Sequence, residues 1–195
     1  RRRMTVAASQ QQRHVFAIRH GVPEVAAGLC YGNTDLALVP GANDAVLTQH
    51  AALLAQARAE NWPVFSSPLR RCASLAAQIR PDFQTDPRLR EWDFGDWEMC
   101  AWDTVPRAEL DEWAADPVHY RPGGKESLMM IVQRLKTFLT ELPPSGEPVL
   151  LITHAGVIRL LSVWQHDAPE TTAIAAQTSV APAYGSVSSF CISLS

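Results

Sequence analysis

Apolar residues along the chain recur with two periods. Short apolar runs bounded by turn-forming residues predict buried strands at 14–19, 63–65, 83–85, 149–153 and 186–194. Between them, apolar residues three and four apart predict amphipathic helices. Val46, Leu47, Leu53, Leu54 and Ala57 mark one from Asn43 or Asp44 to about Ala59. Leu128, Ile131, Val132, Leu135, Phe138 and Leu139 mark another from Glu126 or Ser127 to about Glu141. Ser67 then Pro68 reads as an N-cap and first helical position, opening a helix from Leu69 to about Ile79. A further helix is expected over 157–164 and a short one over 107–115. Strands alternating with helices predict a three-layer α/β/α sandwich with a mostly parallel central sheet.

Two of the predicted strands end on the same kind of residues. The first runs into Arg19-His20-Gly21 and the fourth into His154-Ala155-Gly156. Ligands of open parallel sheets bind at the carboxyl ends of strands, so both ends are read as parts of one site. Arg70 and Arg71 fall in the first turn of the helix opened by Ser67-Pro68, where cations oppose the helix dipole. An anion at that helix start would compensate them. Residues 22–40 form a connection too long for a simple turn, and such loops are usually functional. Residues 98–122 are irregular and read as a lid-like excursion over the site.

Composition narrows the chemistry. Among 195 residues, 47 % are hydrophobic and 19 % charged, with a net charge of −3. That length suits one domain with a real core, and that charge provides no field drawing nucleic acid or membrane. No apolar stretch reaches the roughly 20 residues of a membrane span, and no signal-peptide core precedes Arg13. Cys30, Cys72, Cys100 and Cys191 are widely spaced, which favours reduced thiols in a cytoplasmic protein. Residues 1–12, led by Arg1-Arg2-Arg3, are expected to be a disordered tail ahead of one domain over 13–195.

A phosphoryl dianion needs convergent cationic donors, and arginine's planar fork suits it well. Arg19, Arg71 and the two histidines supply such donors, and a neutral histidine can also be the nucleophile. A leaving alkoxide needs a proton, so an acid with a raised pKa should lie nearby; Glu91 is the best-placed carboxyl. Rival chemistries lack their motifs. No cysteine is followed six residues later by arginine, and there is no G-x-S-x-G elbow. Pro122-Gly123-Gly124-Lys125 lacks the first glycine and the strand of a P-loop. No H-x-x-x-H pair or zinc-type cysteine spacing occurs, so no metal or other cofactor is expected.

Arg19-His20-Gly21, Ser66-Ser67-Pro68-Leu69-Arg70-Arg71, Leu89-Arg90-Glu91 and Thr153-His154-Ala155-Gly156, in that order, resemble the histidine phosphatase (phosphoglycerate mutase-like) superfamily. The resemblance implies His20 as the nucleophile that becomes phosphohistidine. It implies Arg19, Arg71 and His154 as ligands of the phosphoryl oxygens, and Glu91 as general acid and then base. Residues 30–36, 92–98 and 124–127 look most like the alpha-ribazole phosphatase branch, which implies a small phosphorylated metabolite of cobalamin assembly as substrate. On that reading Tyr31, Gly32, Asn33 and Trp92 are candidate substrate contacts. The family's mutases carry insertions not found here, so net hydrolysis is implied; a sugar-phosphate phosphatase, a mutase and an inactive binding relative are the rivals. Three departures stand out. Pro23 and Ala26 replace a Thr or Ser and an Asn, removing one hydrogen bond to phosphate. Lys125 stands where glycine is usual, and Val39 replaces a helix-capping Thr or Ser. Trp92, Trp97, Trp102 and Trp113 read as packing of the excursion, with stacking of an aromatic substrate as the alternative.

Overall fold

The computed structural model describes residues 11–143 and 146–194. Five strands form one sheet: β1 (Gln12–Arg19), β2 (Val64–Ser66), β3 (Gln84–Thr85), β4 (Val149–Thr153) and β5 (Val187–Ser193), in the order β3-β2-β4-β1-β5. All neighbours run parallel except β5, which pairs antiparallel with β1 at the sheet edge. Helices cover both faces, as expected for a parallel sheet buried on two sides. Residues 1–10 of the expected tail lie outside the described residues. Gln12, placed in that tail from sequence, instead pairs with Ser193 and begins the first strand.

Alternation along the central strands divides the core in two. Val15, Ala17, Val149 and Leu151 face α5 (Leu128–Thr140), α6 (Ala155–Ser162) and α7 (Pro169–Ala176). Ile18, Leu150 and Ile152 face α1 (Ala42–Gln49), α2 (Ala51–Ala59) and α3 (Arg70–Ile79). Cys30, Trp97 and Val105 form a third cluster beneath α4 (Arg107–Ala115) and the irregular turns around it. That cluster ties the 98–122 excursion to the loop after β1, where Leu29 bridges Ala101.

Four expectations need correction. The single helix over 43–59 is two, broken at His50, whose backbone leaves the helical range and whose Nε2 donates to Gly185 O at 2.7 Å. Helix α3 begins at Arg70 with Leu69 in the N-cap position and no side-chain cap, while Ser67 Oγ accepts from the Leu69 amide at 3.3 Å and also meets His154 Nε2. The helix expected over 157–164 begins at Ala155, so His154 is its N-cap residue. Helix α7 has no counterpart among the predicted elements. It buries Thr172, Ala173 and Ala176, small residues that present no apolar stripe to a periodicity search.

Candidate active site

The register of the two central strands brings the two distant motifs together. Arg19 pairs with Thr153, and the His20 amide donates to Thr153 O at 3.2 Å. His20 and His154, one residue beyond these partners, therefore lie side by side, ring centroids 5.1 Å apart and edge to face. Both are buried. Strand β2 contributes from the other side of β4: Ser67, which follows Ser66, sits 2.8 Å from His154 Nε2 through its Oγ.

Arg71, on the first turn of α3, reaches into the same place and is 1 % exposed. Its Nε donates to His20 Nε2 at 3.3 Å, while Nη1 and Nη2 donate to Thr34 O at 2.6 Å and Gly32 O at 2.5 Å. His20 Nδ1 lies 2.7 Å from Gly21 O, a carbonyl that can only accept. The proton is thereby assigned to Nδ1 and the lone pair to Nε2, the nitrogen that meets Arg71. Arg19 Nη1 donates to Pro182 O at 2.6 Å, and its guanidinium carbon lies 3.7 Å from the centre of the Tyr184 ring. Its Nε is buried without a hydrogen-bond partner. The anion expected at the α3 start is partly supplied by the chain: Asp35 Oδ1 accepts from the Arg70 amide at 2.7 Å.

Glu91 approaches from a different element, the loop after the 3₁₀ turn at Pro87–Leu89. Its Oε1 accepts from its neighbour's amide, Trp92 N, at 3.0 Å, and its Oε2 from Gly156 N, in the first turn of α6, at 3.1 Å. A Cβ at position 156 would lie 2.3 Å from Oε1, so only glycine lets the carboxylate rest against the helix start. Gly32 meets the same kind of constraint, since a Cβ there would lie 1.9 Å from Trp92 O.

Several residues that build this site were given no role by the sequence reading. Glu98 accepts from the amides of Gly32, Asn33, Thr34 and Phe94 and from the Thr34 hydroxyl, at 2.5–3.3 Å. It therefore shapes the loop whose carbonyls orient Arg71. The Glu126–Arg134 pair, 2.7 Å apart, holds the other side. Arg134 donates to the carbonyls of Arg88 and Glu91, and Glu126 accepts from Asp93 N and Trp92 Nε1. Tyr184 lies 5.7 Å from His20 between ring centres, and its hydroxyl meets that of Tyr31 at 2.5 Å. Burial and this hydroxyl partner push the Tyr31 pKa up. Asn33, by contrast, turns its side-chain amide to Asp93, and His119 pairs at the surface with Asp116 and Glu170. Among the described residues no three His, Cys, Asp or Glu side chains cluster as a metal site.

Burial lowers the His20 pKa from 6.5 to about 3, opposed by the Gly21 carbonyl and reinforced by the Arg71 and Arg19 charges. His154 is driven well below its ordinary value, first by burial and then by Arg71. Both rings are thus neutral in the folded protein near neutral pH. The unfolded chain takes up protons below pH 6.5 that the folded chain does not. Stability contributed by these rings is complete above that pH and is lost as pH falls, by about 1.4 kcal/mol per pH unit for each histidine. Denaturant unfolding between about pH 7 and pH 5 should show this slope. In His20→Asn it should be shallower by the share of one histidine, and an unchanged slope would remove the assignment.

The strand ends and helix starts thus bring together two imidazoles in edge contact, a guanidinium donating to one of them, and a carboxylate held at the start of α6. The model of the histidine phosphatase superfamily (branch 1) matches residues 15–190. The chain belongs to that superfamily. Its histidine phosphatase domain superposes on the phosphoglycerate mutase from Thermus thermophilus with a TM-score of 0.65, at 28 % identity over 90 % of this chain and 91 % of that one. A mycobacterial glucosyl-3-phosphoglycerate phosphatase is also similar, with a TM-score of 0.62 at 25 % identity over 82 % of this chain and 84 % of that one. In sequence, the adenosylcobalamin/alpha-ribazole phosphatase of Escherichia coli is 29 % identical over 107 residues, 50 % of this histidine phosphatase chain and 53 % of that protein. The chain spans about half the length of the curated relatives it matches. Among the described residues no helix is long and apolar enough to cross a membrane.

Proposed function

We propose that the protein hydrolyses phosphomonoesters of small metabolites through a phosphohistidine intermediate, without a metal. The observation that carries this reading is the set of contacts at His20: a neutral ring with its Nε2 lone pair turned toward the Arg71 guanidinium and the His154 ring beside it. Arg19 and Arg71 bind the phosphoryl oxygens as fixed donors, stabilising charge without reorganisation. His20 Nε2 attacks phosphorus; the P–N bond forms as the ester P–O bond breaks, and Glu91 gives its proton to the leaving oxygen. Glu91, now a carboxylate, takes a proton from water as that water attacks phosphohistidine, releasing phosphate and restoring the neutral ring. His154 contributes once its Nε2 exchanges Ser67 for a phosphoryl oxygen.

For the substrate, alpha-ribazole 5′-phosphate is supported by the stretches 30–36, 92–98 and 124–127 and by the activity named for the Escherichia coli relative. The names of the two structural relatives support a second reading, a phosphoglycerate or sugar-phosphate enzyme. Rates on these three substrate types, with 3-phosphoglycerate followed for isomerisation as well as phosphate release, separate the two. For the chemistry itself, p-nitrophenyl phosphate should be turned over in excess EDTA and inhibited by orthovanadate. Acid-labile, base-stable labelling of the enzyme should appear on rapid quenching. Strict dependence on added Mg²⁺ or Zn²⁺ would end this reading.

A further inference from the structure

Both site arginines are held by neutral groups. Arg71 donates to two carbonyls and to His20, and Arg19 donates to the Pro182 carbonyl while its guanidinium lies on the face of the Tyr184 ring. Among the described residues no carboxylate forms an ion pair with either. Neutral partners orient a guanidinium without cancelling its charge, so that charge stays available to an incoming anion. Arg19 also keeps its Nε buried and unpartnered. A buried N–H without an acceptor is costly, and a phosphoryl oxygen would supply one.

The backbone sets Tyr184 in place by a short path. Strand β5 runs antiparallel to β1 with Val187 opposite Ile18, so the residues just before Val187 return alongside Arg19 and His20. The Gly185 amide donates to Arg19 O at 3.1 Å and His20 O at 3.0 Å, and Ser186 O accepts from the Arg19 amide at 3.0 Å. Gly185 adopts φ +71°, and a Cβ there would lie 2.9 Å from the Val46 side chain. The turn that brings Tyr184 onto the Arg19 side chain therefore favours glycine.

The Tyr184 hydroxyl extends the hold. It meets the Tyr31 hydroxyl at 2.5 Å, and Tyr31 belongs to the loop whose Gly32 and Thr34 carbonyls fix Arg71. The Arg71 guanidinium carbon lies 5.9 Å from the centre of the Tyr31 ring. One hydroxyl contact thus joins the segment that holds Arg19 to the loop that holds Arg71.

We propose that Tyr184 is a positioning residue: its ring holds the Arg19 guanidinium toward the phosphoryl group, and its hydroxyl, through Tyr31, fixes the spacing of the two arginines. The proposal rests on the assignment of Arg19 and Arg71 as phosphoryl ligands made above.

The inhibition constant of orthovanadate tests it in single and double variants. Tyr184→Leu removes the ring face and should raise the constant about tenfold. Tyr184→Phe keeps the face and should retain most of the affinity. In an Arg19→Ala background Tyr184→Leu should add little, because the ring acts through Arg19. The hydroxyl pair is read separately: Tyr31→Phe and Tyr184→Phe should each raise the constant about threefold, and the double variant no more than either alone. Tyr184 is 39 % exposed, so its replacement should leave the fold intact; should the leucine variant fold poorly, Tyr184→Met gives the same comparison. An unchanged constant in Tyr184→Leu, an equal loss with and without the Arg19 side chain, or additive losses from the two phenylalanines would overturn the proposal while leaving the phosphatase reading intact. An Arg19→Ala variant that binds orthovanadate as the unaltered enzyme does would overturn both.

Discussion

Replacing His20 with alanine is expected to abolish turnover, by about 10⁴-fold or more in kcat, as loss of a covalent nucleophile does. His154, the imidazole beside it, is not placed to substitute, because its Nε2 faces Ser67 Oγ at 2.8 Å. The fold should survive, because His20 is held neutral by burial and its removal strands no buried charge. Arg71 would lose one acceptor and keep the carbonyls of Gly32 and Thr34. The variant should therefore melt cooperatively and still bind orthovanadate weakly through the guanidinium groups. Full activity in a purified, metal-free His20→Ala preparation would refute the nucleophile assignment, whatever the superfamily pattern implies.

The second large effect is expected from a residue that touches no reacting atom. Glu98 binds five donors of the chain through one carboxylate, four of them amides. Glu98→Ala leaves those part-buried donors without their acceptor, costing about 2–4 kcal/mol of stability. The catalytic cost follows from the loop it releases. Gly32 O and Thr34 O hold two of the nitrogens of Arg71, so a loosened loop allows the guanidinium to turn away from the anion. A displacement of that kind costs on the order of 10²-fold in kcat/KM. Glu98→Gln keeps the shape and one acceptor oxygen, and should lose less. The discriminating measurement is the inhibition constant of orthovanadate in Glu98→Ala, Arg71→Ala and the double variant. Positioning through Arg71 predicts strongly non-additive losses. Vanadate affinity unchanged in a folded Glu98→Ala would show Glu98 to be structural only.

The same contrast explains what could and could not be seen along the chain. Arg19, His20, Arg71 and His154 could be singled out because each sits at the end of a predicted strand or start of a predicted helix, and Glu91 as a carboxyl between a predicted strand and an aromatic loop. Arg134 and Tyr184 were not, and Glu98 and Glu126, although inside the stretches 92–98 and 124–127, showed no role of their own. Each acts through groups tens of residues away, as in Glu98 to Gly32 or Glu126 to Trp92, and no periodicity records such a pairing. Ser67 misled for a related reason. A serine before a proline is a good local cap, and its hydroxyl does meet the Leu69 amide, but the buried imidazole of His154 shares it and the helix begins only at Arg70; only the folded chain brings that imidazole within reach.

What the amino-acid sequence determined by itself was the layering and the inventory: apolar runs that must be buried on two faces, helices with one apolar stripe, and cationic residues at their junctions. What the tertiary structure decided was adjacency. Parallel pairing of β1 with β4 in one register sets His20 against His154 across 134 positions of chain, and a slip of one residue would turn one of the two away. Side-chain periodicity is a local property of the backbone, whereas the meeting of distant strand ends and loops is fixed by close packing of the whole core.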